Sequence, residues 1–181
     1  MTPIHHDCLD AFSAAECDAM IAIAAADAGE AGPVWGGAGY ALDPAVRSVR
    51  TVFRARSEET GWIYDRLDRL FGEAAERLGV AVAPVSEDIQ IMAYGVGNHF
   101  QVWHSDAGTD LQARRILSVS VELSEPGDHD GGDLEIVPVA IGRRTLPRGA
   151  ARLFLSRALH RVTPVTRGTR HSLVSWTGAP G

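Results

Sequence analysis

The hydrophobic periodicity of the chain changes at Gly79, and this change limits the possible folds more than any other feature of the sequence. From about residue 61 to residue 78, apolar side chains recur at every third or fourth position, which predicts an amphipathic helix that stops at Gly79. Beyond this glycine, short apolar runs with a period of two are separated by Gly, Pro and Asp residues, which predicts strands. The predicted strands comprise residues 89–94, 100–104, 115–123, 134–137, 152–155, 161–165 and 170–176.

The residues before Gly79 are predicted to be mainly helical. A capping box, Ser-Ala-Ala-Glu at 13–16, opens a helix that is expected to run to about Ala28. Residues 29–43 hold five of the 19 glycines and are predicted to form a loop. Two helices followed by short antiparallel strands favour a mostly β fold, a jelly roll or a sandwich, with N-terminal helices on one face. Without a linker or repeat, residues 1–181 are expected to form a single domain, with a helical buttress at 1–79 and the β core at 80–181.

The charge of the chain excludes several classes of function. All 17 basic residues are arginines, and the 23 acidic residues give a net charge of −6. The absence of lysine excludes a lysine Schiff base, a P-loop nucleotide site and a lysine general base. The acidic balance argues against nucleic acid as a partner, with a local basic patch formed by Arg167, Arg170 and the arginines of 143–157 as the alternative. We also expect no membrane span and no secretory signal, and hence a cytoplasmic protein.

The motif His104-x-Asp106 closes one of the predicted strands. Because residues i and i+2 of a strand point to the same face, an imidazole and a carboxylate converge there. Two imidazole nitrogens and one carboxylate on one face of a metal are the ligand set of non-haem Fe(II) oxygenases. His160, beside another predicted strand, is the candidate for the second imidazole. The alternative for His104 and Asp106 is a salt bridge in a loop at a strand end.

A similar run of residues occurs at the N-terminus, where His5, His6 and Asp7 precede Cys8. This run comes before a helix, no strand is predicted around it, and a chain end is expected to be mobile. We therefore predict that the N-terminal run holds no metal.

Arg170 lies ten residues after His160, and a short hairpin would place the two residues on adjacent strands. An arginine at that place can bind a carboxylate with its two-pronged guanidinium. The arrangement suits a dicarboxylate that chelates the metal at one end and meets Arg170 at the other.

Five motifs between residues 89 and 181 carry a resemblance to a known family. They are, in chain order, Tyr94-Gly95-x-Gly97, His104-x-Asp106, Gly131-Gly132-Asp133-Leu134, His160-x-Val162-x-Pro164-Val165-x-x-Gly168-x-Arg170 and Ser172-Leu173-Val174-x-Trp176. In order and spacing they resemble the Fe(II)/2-oxoglutarate dioxygenases of the prolyl-4-hydroxylase type. The resemblance implies a double-stranded β-helix (jelly-roll) core braced by helices.

The resemblance also implies roles for single residues. His104, Asp106 and His160 would bind Fe(II), and Arg170 would pair with the distal carboxylate of 2-oxoglutarate. Tyr94 matches a tyrosine whose hydroxyl approaches this co-substrate.

Trp176 matches an aromatic residue that lines the pocket near the metal, and the alternative for both Trp176 and Tyr94 is an aromatic residue of the barrel core. One position departs from the family, because Glu122 stands where the prolyl hydroxylases usually carry a tyrosine that contacts the distal carboxylate. Either Glu122 points away from the pocket or the co-substrate end is arranged differently. A prolyl substrate does not follow from the resemblance.

The activity that the resemblance implies is a dioxygenase reaction with Fe(II), 2-oxoglutarate and O2, most simply a hydroxylation that releases succinate and CO2. A small-molecule or amino-acid-like substrate is favoured over a protein or peptide side chain, because the chain shows no obvious peptide-docking extension. The alternatives are a cupin-like metal-binding module without turnover, against which Arg170 argues, and a zinc hydrolase with the same three ligands.

Overall fold

The computed structural model describes residues 3–31, 34–36, 39–41, 43–137 and 146–181. These residues contain the helices α1 (Ala14–Ala25) and α2 (Gly61–Leu78) and a short 3-10 helix (Asp110–Arg114). The strands are β1 (His5–Cys8), β2 (Glu30–Ala31), β3 (Val34–Gly36), β4 (Gly39–Ala41), β5 (Arg47–Ser48), β6 (Arg50–Arg54), β7 (Ile89–Tyr94), β8 (His99–His104), β9 (Arg115–Glu122), β10 (His129–Gly131), β11 (Leu134–Ile136), β12 (Ala151–Leu155), β13 (His160–Val162), β14 (Val165–Gly168) and β15 (Arg170–Gly178).

Both helices begin and end for local reasons. The predicted capping box opens α1, because the Glu16 amide donates to Ser13 Oγ at 3.2 Å and the Ser13 amide donates to Glu16 Oε2 at 2.7 Å. This helix ends at Ala25, three residues before the predicted end. Helix α2 has the predicted bounds and ends at Gly79, which adopts a left-handed φ of 68°. No helix among the described residues is long and apolar enough to cross a lipid bilayer.

Two antiparallel sheets make up most of the fold. The larger has seven strands in the order β1-β12-β9-β15-β7-β6-β2, and the smaller has four in the order β11-β13-β8-β5. Two further pairs, β10-β14 and β3-β4, are separate ribbons. The described fold is therefore mostly β and antiparallel, as the sequence predicts.

Side chains of the seven-stranded sheet alternate between two cores. In β7, Ile89 and Ile91 belong to the core that contains the buried face of α2, such as Leu67. Met92 and Tyr94 of β7 belong to a second cluster. That cluster also contains Val162 of the four-stranded sheet, so the larger sheet has helices on one face and the smaller sheet on the other.

The region before Gly79 differs from its prediction. Its described residues hold six strands as well as α1 and α2, so the prediction of a loop over 29–43 is wrong at β2, β3 and β4. The prediction of a chain end without a strand is also wrong, because β1 pairs with β12 at the edge of the larger sheet. Polar residues dominate β1, and its pairing is with a strand more than 140 residues away, so no local apolar pattern revealed it.

Two glycines give a matched prediction about stability. Gly149 has a φ of 82°, and a Cβ there would overlap the carbonyl oxygen of Phe12, whose amide donates to the Gly149 carbonyl at 2.9 Å. Gly72, inside α2, has no heavy atom within 4 Å of the position of an added Cβ. We expect Gly149→Ala to lower the free energy of unfolding by more than about 2 kcal/mol. Gly72→Ala should raise it by about 0.5–1 kcal/mol, and a destabilised Gly72→Ala in urea titrations would contradict the packing described here.

Candidate active site

Two adjacent strands of the smaller sheet bring the candidate ligands together. His104 ends β8 and His160 begins β13, and the two residues are direct partners across the antiparallel pair. Asp106 follows β8 by two residues, and its amide donates to the carbonyl of Ser156 at 2.9 Å. The loop that carries Asp106 is thereby tied to the turn that precedes His160.

The ligand atoms of these three residues form a compact cluster. One ligand atom from each of His104, Asp106 and His160 lies within 4.8 Å of the other two. His160 Nε2 lies 3.4 Å from Asp106 Oδ2, and the centroids of the two imidazole rings are 4.2 Å apart. Among the described residues, no other group of three His, Cys, Asp or Glu side chains has this geometry.

Backbone carbonyls fix the orientation of both imidazoles. His104 Nδ1 lies 2.9 Å from the carbonyl oxygen of Val102, and His160 Nδ1 lies 3.0 Å from that of Ala158. A neutral ring that donates through Nδ1 keeps the lone pair of Nε2 for a metal, which is the usual support of histidine ligands. Both rings are held in the same way, by the carbonyl two residues earlier.

A pair of serines holds the carboxylate of Asp106. Ser118 Oγ donates to Asp106 Oδ2 at 2.7 Å and lies 2.9 Å from Ser156 Oγ. Neither serine belongs to a motif identified in the sequence, although Ser118 lies in a predicted strand. The alternation of apolar and polar side chains along that strand is a signal for Ser118, because Ser118 and Ser120 are small polar residues on one face of it.

The electrostatics of the cluster suit a divalent cation. Burial, followed by the proximity of His160, lowers the pKa of His104 to about 4, so this imidazole is neutral at pH 7. Burial disfavours the Asp106 carboxylate, but His160 and the Ser118 hydroxyl outweigh it and hold the pKa of Asp106 well below its usual range. Burial by itself would lower the pKa of His160, but the nearby Asp106 carboxylate has the larger effect, so the pKa of His160 is raised. Two imidazole nitrogens and one carboxylate oxygen form a donor set that fits Fe(II).

A cavity of about 530 Å³ opens beside the cluster, between the two sheets. All three candidate ligands line it, as do Tyr94, Trp176 and Arg170. The structure thus brings every predicted site residue to one cavity, whereas their roles in binding and catalysis stay predictions. The other side chains that line it are largely apolar and include Met92, Phe100, Leu134, Phe154, Val162 and Val174.

Arg170 forms a buried ion pair with Glu122. Its Nε donates to Glu122 Oε2 at 2.8 Å, and the side chains of Arg170 and Glu122 are only 6% and 8% exposed. The terminal nitrogens of Arg170 make no hydrogen bond to the described residues, and Arg170 lines the cavity. Glu122 does not itself line the cavity but contacts Arg170, which does, so the arrangement of the co-substrate end stays a prediction.

The two aromatic candidates lie at different places in the cavity wall. The Tyr94 ring is buried, its hydroxyl donates to Met92 Sδ at 3.4 Å, and the Arg170 guanidinium carbon lies 5.8 Å from its centroid. Trp176 lies under Arg115, whose guanidinium carbon is 3.9 Å from the ring, and Arg115 in turn binds Glu87. Tyr94 also belongs to an apolar core cluster, so it has a packing role as well as a place in the cavity wall.

Arg47 is a residue of the cavity that sequence analysis missed. It lies on β5, and it donates to Gln90 Oε1 and Met92 Sδ, each at 3.1 Å. Its guanidinium also lies over the Phe100 ring, 5.2 Å from the centroid. The short strand β5 carries no apolar pattern, so the sequence held no signal for it.

The N-terminal run lies in a different environment. Asp7 accepts two hydrogen bonds from Arg152, at 2.8 and 2.7 Å, on the paired strands β1 and β12. Neither His5 nor His6 joins the cluster of ligand atoms.

Comparison with known proteins relates the chain to one family. Residues 89–178 match the sequence profile of the 2OG-Fe(II) oxygenase superfamily. A PKHD-type hydroxylase from Nitrobacter winogradskyi is 34% identical over 119 residues, which cover 64% of this chain and 52% of the relative. A PKHD-type hydroxylase from Delftia acidovorans is 39% identical over 84 residues, which cover 45% of this chain and 37% of the relative. The chain thus spans about half, or less, of the length of these curated relatives.

Solved structures share the fold over nearly the whole chain. A prolyl-4-hydroxylase from Pseudomonas putida superposes with a TM-score of 0.75 at 22% identity, covering 98% of this chain and 93% of that protein. The viral collagen prolyl hydroxylase of Paramecium Bursaria Chlorella virus-1, in its 2OG complex, gives a TM-score of 0.73 at 20% identity and covers 98% and 97% of the two chains. A Trichoplax adhaerens prolyl hydroxylase was solved with a peptide fragment of hypoxia inducible factor. It gives a TM-score of 0.77 at 15% identity, covering 96% of this chain and 83% of that protein.

Proposed function

The chain belongs to the 2OG-Fe(II) oxygenase superfamily through residues 89–178, and we propose that it is a dioxygenase that hydroxylates a C–H bond of a small-molecule or amino-acid-like substrate. In this proposal, His104, Asp106 and His160 hold Fe(II). One observation carries it: His104, Asp106 and His160, whose ligand atoms form one compact cluster, line the same cavity as Arg170.

Each residue of the site has a separate task in the proposed reaction. When bound, Fe(II) with 2-oxoglutarate and O2 supplies the oxidising chemistry, which yields succinate and CO2 and transfers one oxygen atom to the substrate. His104 and His160 present Nε2 because their Nδ1 atoms are held by backbone carbonyls. Ser118 keeps one oxygen of the Asp106 carboxylate in place by donating its hydroxyl proton. Arg170 offers two terminal nitrogens to the distal carboxylate of 2-oxoglutarate.

The fold proposed for this chemistry is a double-stranded β-helix, with residues 1–181 as one domain. Its support is the pair of facing antiparallel sheets and the similarity to prolyl hydroxylase structures. Many of the side chains that line the cavity are apolar, and apolar surroundings strengthen the electrostatic interactions of a site.

A second candidate is the hydroxylation of a peptide or protein side chain. Exposed apolar side chains favour it, because Trp103 and Leu159 each precede a candidate ligand and are 40% and 48% exposed. Val102, 44% exposed, joins the cavity lining to this surface. Such side chains could pack against a bound peptide.

The proposal predicts a spectroscopic signature of the assembled site. Under anaerobic conditions, Fe(II) plus 2-oxoglutarate should produce a weak visible charge-transfer band that neither component gives alone. Zn(II) in place of Fe(II) should give no band and no succinate. Turnover with Zn(II) in the absence of O2 would instead place the protein among hydrolases.

Succinate release across a panel then separates the two substrate classes. We expect stimulation by free amino acids or small natural-product scaffolds. Stimulation by peptides alone would favour the second candidate, and a band without stimulated release by any member would favour a metal-binding module.

A further inference from the structure

Three buried ionisable side chains, those of Arg170, Glu122 and His129, lie next to one another, and of the three only Arg170 lines the cavity. Arg170 and Glu122 form the ion pair described above, and His129 Nε2 lies 4.0 Å from Glu122 Oε1. His129 is 7% exposed, so all three residues are removed from solvent. The Arg170 side chain is also packed closely, because a Cβ on Gly132 would lie 3.0 Å from Arg170 Cδ.

His129 faces Glu122 in an unsatisfied geometry. Its Nδ1 lies 3.0 Å from the carbonyl oxygen of Gly131 and must donate to it, so a neutral ring carries its proton on Nδ1. The buried Nε2 makes no hydrogen bond within the described part of the chain. In the neutral ring, Nε2 therefore presents a lone pair toward a carboxylate. A second proton, on Nε2, would turn this contact into a charge-assisted attraction.

The charges of the cluster change when a carboxylate arrives. Arg170 and Glu122 cancel each other, so the pair offers no net charge to a ligand. The distal carboxylate of 2-oxoglutarate would bring the buried group to a net charge of −1, which is costly without compensation. A proton on His129 restores neutrality.

We propose that Glu122 and His129 are positioning residues for the co-substrate, and that binding of its distal carboxylate is accompanied by uptake of one proton at His129 Nε2. Glu122 holds Nε of Arg170 and so turns the terminal nitrogens to the cavity. The inference rests on the proposed function, since the ligand is 2-oxoglutarate.

Other charged and titratable groups surround this pair. They lie on the strands and loops packed against it and comprise Tyr94, Asp128, Asp130, Asp133, Arg170 and His171. Asp130 forms an ion pair with Arg167, whose Nε lies 2.6 Å from Asp130 Oδ2.

Calorimetry can measure this proton directly. 2-Oxoglutarate is titrated anaerobically into the Fe(II)-loaded protein in buffers of different ionisation enthalpy near neutral pH. We expect uptake of about one proton per ligand and an affinity that falls by up to about tenfold per unit of rising pH, because the complex binds the extra proton. Glu122→Gln keeps an oxygen acceptor for Arg170 Nε but removes the negative charge. This variant should take up no proton and bind 2-oxoglutarate about tenfold more tightly or better.

Two further variants make the test specific. Glu135→Gln is the matched control, because Arg161 Nε donates to Glu135 Oε2 at 2.7 Å in a pair that does not line the cavity. It should leave both affinity and proton uptake unchanged. His129→Gln should abolish the uptake and flatten the pH dependence of the affinity.

Three results would overturn the inference. The first is metal-dependent binding by the wild-type protein without proton uptake, which leaves the proposed function intact. The second is full uptake in His129→Gln or Glu122→Gln. The third is the absence of metal-dependent 2-oxoglutarate binding in the wild-type protein, which overturns the proposed function as well.

Discussion

Alanine in place of His104, Asp106 or His160 is expected to abolish succinate release and to weaken Fe(II) binding. Each residue supplies one atom of a three-point ligand set, and loss of one point removes geometry as well as a bond. Residues that only support a ligand commonly contribute about 10- to 100-fold to metal affinity or activity, so a lost ligand should reduce turnover by more than about 100-fold. Equilibrium dialysis with Fe(II) and an assay for succinate measure the two effects separately.

The N-terminal histidines provide the control for this result. A double variant, His5→Ala with His6→Ala, changes the same residue type on β1, away from the cluster of ligand atoms. It should retain iron and turnover. Loss of iron in the double variant, with iron retained in His104→Ala, would show that the wrong histidines have been assigned to the metal.

Residues close in sequence were the most predictable part of the site. His104 ends β8 and Asp106 lies only two residues beyond it, so their separation in the sequence keeps them close, and the hydrogen bond from the Asp106 amide to Ser156 fixes the loop between them. The helix α2 was predictable for a similar reason, since its apolar face and its terminal Gly79 are both local. Its packing against the larger sheet follows from that face.

Contacts between distant strands required the structure. The Arg170–Glu122 pair depends on the register of β9 and β15, in which Glu122 lies opposite Ser172. The sequence identified Glu122 as unusual, but it could not say which residue would neutralise it. His129 lies between the predicted strands 115–123 and 134–137, where no strand was predicted, and it belongs to β10, which pairs with β14 across a shift of register. Neither register nor bulge is encoded in the local apolar period.

Arg170→Ala is expected to cost about 30-fold to several thousandfold in 2-oxoglutarate affinity. This range corresponds to about 2–5 kcal/mol, the usual effect of truncating one partner of a buried charge pair. Arg170→Lys should recover only part of the loss, because an ammonium group lacks the planar fork that binds both carboxylate oxygens. Iron binding should survive both changes, since the three ligands are untouched.

The ion pair with Glu122 complicates the single substitution. Arg170→Ala leaves the Glu122 carboxylate buried with its partner removed, which should also destabilise the fold by about 3–5 kcal/mol. The double variant Arg170→Ala with Glu122→Gln removes both charges and should recover much of that stability. If the affinity for 2-oxoglutarate stays low in the refolded double variant, the loss belongs to Arg170 itself rather than to a disturbed structure.

Arg167 is the matched control for Arg170, three residues earlier in the sequence and on the preceding strand β14. It forms an ion pair with Asp130, as Arg170 does with Glu122, but both partners are exposed to solvent. An exposed pair contributes little, because water screens it, so Arg167→Ala should change the affinity by less than about twofold. The charge-transfer band, titrated with 2-oxoglutarate in each variant, gives the affinities. A near-wild-type value for Arg170→Ala, or a larger loss for Arg167→Ala, would remove Arg170 from the co-substrate site, because a buried guanidinium that binds the distal carboxylate cannot be dispensable.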